Sequence, residues 1–159
     1  MKKLLIAFAA MAAFLAGCAS GGGSAADSSG VAVLQAGAHS SIKDPDEKAF
    51  TDQASFQAAW DKVYSDQSSK PVIPNIDFTK QTVVYYAAGE FKHGGYSIKV
   101  TRAEAAGTGY AVGFTVIQPG MNCHNMTQDV THPFLFATVE TTAPVTFDEV
   151  KKRETPPCT

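Results

Sequence analysis

The sequence predicts an α+β domain: a mostly antiparallel curved sheet, or a partly closed barrel, with one packed helix. Three observations carry this expectation. Residues 83–88, Val-Val-Tyr-Tyr-Ala-Ala, form a short apolar run between turn residues, which is the pattern of a strand buried on both faces. Strand-like runs then follow in quick succession at 82–88, 96–102, 110–118, 133–140 and 145–150, and short connections imply antiparallel neighbours. Only residues 52–65 carry helical periodicity, with Phe56, Ala59, Trp60, Val63 and Tyr64 on one stripe.

Taken in order, residues 31–34 and 39–42 are short apolar pieces suited to edge strands. Asp44-Pro45-Asp46 is a turn, and 47–50 is a further short strand. Thr51 or Asp52 can cap the helix. Trp60, the sole tryptophan, lies on the apolar stripe and is expected to pack the helix onto the sheet; a ligand-stacking role is the alternative. Pro71 and Pro74 interrupt regular structure. Asp77, ahead of Phe78, reads as a turn carboxylate accepting backbone N–H bonds rather than as a catalytic acid. Gly94-Gly95 permits a chain reversal, so the central strand is expected to turn there into its neighbour, the alternating run that starts at Tyr96. Residues 105–109 make a hairpin loop, and Tyr110, Val112, Phe114 and Val116 share the core side of the next strand.

The first 17 residues are an address rather than part of the fold. Lys2-Lys3 precedes an apolar run too short to span a bilayer. Leu15-Ala16-Gly17-Cys18 resembles the bacterial lipobox. The resemblance implies cleavage before Cys18, a lipidated Cys18 and a membrane anchor, with a plain secretory signal as the alternative. Several acyl chains would hold the protein durably where one would not. In a Gram-negative cell, Ala19-Ser20 resembles an outer-membrane address, with the domain on the periplasmic face or at the cell surface. Residues 18–30 form a Ser/Gly tether with a reach on the order of 20 Å, and the domain follows over 31–159.

Pro74-x-Ile76-Asp77-Phe78, the apolar strand ending in Gly89, and Gly94-Gly95-Tyr96-x-Ile98 together resemble the PrcB C-terminal domain, over roughly residues 37–150. That family is named for a lipid-anchored, non-catalytic subunit of a surface protease complex. The resemblance therefore implies an accessory role beside an exported protease. It carries over no catalytic residue.

The formal net charge is −2, and 11 basic against 15 acidic residues remain without the leader, so nothing points to a nucleic-acid partner. With Cys18 lipidated in an oxidising compartment, Cys123 and Cys158 are left to form a disulfide. Such a bond would add roughly 3–4 kcal/mol; two free thiols are the alternative. The loop over 118–132 contains Met121, Asn122 and His124, which join Gly94, Gly95 and Tyr96 as candidate partner-binding residues. The competing readings are a loop crosslinked only for stability and a turn that simply needs glycine. His39, His93, His124 and His132 show no metal-ligand spacing, and no metal or cofactor is expected. There is no Gly-x-Ser-x-Gly elbow and no phosphate loop.

Two other functions compete with the accessory reading. One is a small-molecule-binding lipoprotein, with Tyr85, Tyr86, Tyr96, Tyr110, Phe114, Phe134 and Phe136 lining the mouth of the sheet. The other is a direct protease inhibitor using the 118–132 loop.

Overall fold

The computed structural model describes residues 30–120, 127–150 and the backbone of 153–154. The elements are β1 (Val31–Gly37), β2 (Asp46–Phe50), α1 (Gln53–Val63), β3 (Thr82–Ala87), β4 (Ser97–Ala106), β5 (Gly109–Ile117), β6 (Phe134–Val139), β7 (Val145–Phe147) and β8 (Arg153–Glu154). They form three layers: the helix, a central four-stranded sheet in the order β1-β6-β3-β2, and an outer sheet in the order β4-β5-β7, with β8 also on β5.

The central sheet explains the unbroken apolar runs. Every residue of β3 and β6 is buried. Side chains alternate along a strand. Val83, Tyr85, Ala87, Phe134 and Phe136 therefore face the helix with Phe56, Trp60 and Val63. Val84, Tyr86, Leu135, Ala137 and Val139 face the outer sheet with Ile98, Val112, Phe114 and Val116. Tyr85 stacks on Phe136 at 4.6 Å on the first side, and Tyr86 on Phe114 at 5.2 Å on the second.

Asp52 is the helix cap: its carboxylate accepts the Ser55 N–H at 2.8 Å. Trp60 is 1% exposed, between Phe56 and Phe136, and its indole N–H donates to the Pro71 carbonyl at 3.2 Å. The stripe thus fills the helix-side core.

The structure corrects five expectations. Among the described residues the strands make two stacked sheets and close no barrel. β3 does not turn into β4; its neighbours are β2 and β6, and the glycine segment carries the chain from one sheet to the other. β7 and β8 run parallel to β5, because the chain reaches the outer sheet from β6 of the central one instead of folding back as a hairpin. Residues 39–42 are not a strand; Ser40 and Ile42 are buried as loop, with the Ser40 hydroxyl donating to the His132 carbonyl at 2.9 Å. The seven aromatic residues proposed to line one pocket lie on opposite faces of the central sheet and pack into two cores.

Two bulges shape the edges. The register shift between Val33 and Gln35 leaves Leu34 as the extra residue, so Gln35 pairs with Phe136 of the helix-side core, the side against which Leu34 also packs. The shift between Val100 and Arg102 leaves Thr101 extra, opposite Gly113. Arg102 Nη1 then donates to both carboxylate oxygens of Asp148, at 2.9 and 3.1 Å.

Candidate functional site

The region singled out in the sequence is the crossover from β3 to β4, where Gly94, Gly95 and Tyr96 lie. It begins at Gly89, whose φ of +78° and close approach to the Lys43 carbonyl and Pro45 leave no room for a side chain. Glu90 N–H donates to that carbonyl at 3.0 Å. The crossover is then zipped to the segment entering β6. Phe91 and Thr131 exchange backbone bonds of 2.8 and 2.9 Å, Gly94 N–H donates to Thr127 O at 2.9 Å, and the Thr131 hydroxyl donates to the His93 carbonyl at 3.0 Å.

Gly94 is buried, and a Cβ there would collide with the Thr127 hydroxyl. Gly95 is exposed and holds φ at +90°. Tyr96 stacks between Phe91, at 3.9 Å, and His93, at 5.2 Å. These three rings are each only partly buried, so the crossover presents an aromatic edge at the surface. His132 Nε2 lies 3.3 Å from Glu90 Oε2.

The other candidates divide. Met121, Asn122, Cys123, His124, Cys158 and Cys18 lie outside the described residues, as do the leader and all of the tether except Gly30. Among the described residues no three His, Cys, Asp or Glu side chains come together as a metal site. Asp77 is a turn residue: its carboxylate accepts the Thr79 N–H at 3.1 Å. The Lys80 ammonium and the Thr79 bonds hold its carboxyl down to about 2, so it stays ionised. Burial, reinforced by the Asp46 charge, pushes the Tyr85 hydroxyl well above the ordinary tyrosine range.

Thr127, Thr131 and Phe91, which organise the crossover, were not anticipated. Their pairing joins positions about 40 residues apart, and no local motif encodes such a contact.

No curated protein and no solved structure matches the chain. Residues 82–140, which run from β3 to the end of β6 and include the whole crossover, match the family described as PrcB C-terminal.

Proposed function

We propose that the protein is a non-catalytic accessory domain of the cell envelope, anchored by lipid at Cys18, that stabilises or modulates an exported protease or another envelope protein. The observation that carries this reading is the family match over 82–140, because the family's namesake is a subunit of a protease complex. The two packed cores support an interaction role over ligand binding. Of the aromatic residues that would line a pocket, Tyr85, Tyr86, Phe114, Phe134 and Phe136 are buried in those cores, and Tyr96 and Tyr110 pack against one of them.

The partner surface in this reading is the exposed crossover around Gly95 and Tyr96 together with Met121, Asn122 and His124. A Cys123–Cys158 disulfide draws support from the parallel register of β8 on β5. Val116 pairs with Arg153 and Ile117 with Glu154, so β5 and β8 run in the same direction and end side by side.

Affinity capture from detergent-solubilised envelope tests the proposal. The expected result is recovery of an exported protease or other envelope protein by the chain, lost or weakened when Tyr96 is changed to Ala. Repeated capture of no protein would overturn it. Cys18→Ser is expected to release the protein from the membrane fraction.

A further inference from the structure

At the opposite end of the central sheet from β1, three elements enclose a surface groove of about 490 Å³: the loop over 41–45, the last turn of α1 and β2. It is a built feature. Ser41 N–H donates to the Val63 carbonyl at 2.9 Å, tying the loop to the end of the helix. On the other side, the Lys43 carbonyl accepts from Glu90 N–H at 3.0 Å. Ile42 forms part of the groove and also belongs to the buried helix-side core.

The charges around it are unequal. Lys43, Lys48 and Lys62 face Asp44 and Asp46. Lys48 is already held by Asp46 at 3.0 Å. Among the described residues Lys43 and Lys62 make no ion pair, and both are exposed. With Lys48 held by Asp46, two ammonium groups stand against the single remaining carboxylate, Asp44, and the balance favours an acceptor that carries negative charge.

The groove also runs along a sheet edge. β2 is the last strand of the central sheet, so half of its backbone N–H and C=O groups point away from β3. Asp46 and Lys48 pair with Ala87 and Tyr85, which places them on the helix-side face that the groove occupies. A strand laid on this edge would direct alternate side chains over that same face.

We propose that this edge and groove receive an extended acidic segment of a protein partner, which adds as a strand to β2 and seats a carboxylate side chain near Lys43 and Lys62. The inference rests on the accessory reading and names the chemistry of a second contact for it. The exposed attraction is screened by salt, so binding weakens as ionic strength rises.

The test is amide-resolved NMR of the isotope-labelled full chain titrated with a short Val/Glu alternating peptide, its Val/Lys counterpart, and the Val/Glu peptide N-methylated along one edge. The expected result is shifts concentrated at residues 41–48 and at Lys62 with the Val/Glu peptide alone. The paired variant Lys43→Glu, Lys62→Glu should weaken that binding by about tenfold and leave the rest of the spectrum in place, because both side chains are exposed. Equal affinity for the acidic and basic peptides, shifts elsewhere, undiminished binding of the methylated peptide, or an indifferent paired variant would each overturn the proposal. The two readings fail separately. Capture of an envelope partner with the groove silent refutes only this inference, whereas a responsive groove with no envelope partner refutes only the accessory role.

Discussion

Tyr85 is a side chain whose polar atom works against its location. Its ring stacks on Phe136, yet its hydroxyl is buried with no hydrogen-bond partner among the described groups. Removing a lone buried hydroxyl relieves a desolvation cost. Tyr85→Phe is therefore expected to be neutral or up to about 1 kcal/mol more stable at pH 7, read as a urea midpoint. The sign of its pH dependence follows from the raised folded-state pKa. The protonated hydroxyl is favoured in the fold, so its contribution is complete below the ordinary value of 10.0 and is lost as pH rises beyond it. Tyr85→Phe should accordingly blunt the alkaline fall in stability above that pH. A midpoint that falls just as steeply in the variant would exclude Tyr85 as its source. Gly94 and Gly95 make a contrasting pair. Gly94→Val meets the Thr127 hydroxyl inside a closed contact and should cost roughly 1–3 kcal/mol. Gly95→Ala strains a φ of +90°, but at an exposed position. Loss of partner capture by a Gly95→Ala protein of undiminished stability would assign that exposed turn to binding; loss only in Gly94→Val would assign the crossover to structure.

Among the elements, α1 is held less by its own propensity than by Trp60, whose indole reaches both the central sheet and the proline-rich segment that crosses back over the helix. Trp60→Ala should cost about 3–5 kcal/mol in chemical denaturation. Trp60→Phe keeps the ring contacts and forfeits the bond to Pro71, so it should cost less than half as much. Equal losses would mean that the hydrogen bond, rather than the packing, holds the helix. This helix was legible in the sequence because its apolar period and its cap are local. The double-sided burial of β3 was legible for the same reason: a run without polar interruptions has no solvent face to offer. Strand partners were not legible. Short connections imply a hairpin only when both strands belong to one sheet, and the chain leaves the central sheet after β3 and again after β6. Residues 39–42 carried the apolar signal of a strand, but their burial comes from Val63, His132 and the core around Ile42, contacts distant in sequence.

At the scale of the whole molecule, two cores back to back share one sheet and bury Tyr85, Tyr86, Phe114, Phe134 and Phe136 on its two sides, which leaves the surface for partners. For the candidate site, the sequence indicated the glycine crossover but not the segment that closes it, since Thr127 and Thr131 carry no signature of their own. The long-range pairing of β1 bears on how the chain comes into being. The Thr138 hydroxyl donates to the Ala32 carbonyl across 106 positions, and β6, the strand that β1 needs, is also the centre of both cores. Folding of this topology waits on the closure of a long loop. During synthesis the chain must stay open until β6 has emerged, and then both cores can condense together. A nascent product cut short before β6 would leave β1 without its partner strand, β3 with an open edge, and both cores without the residues that β6 supplies.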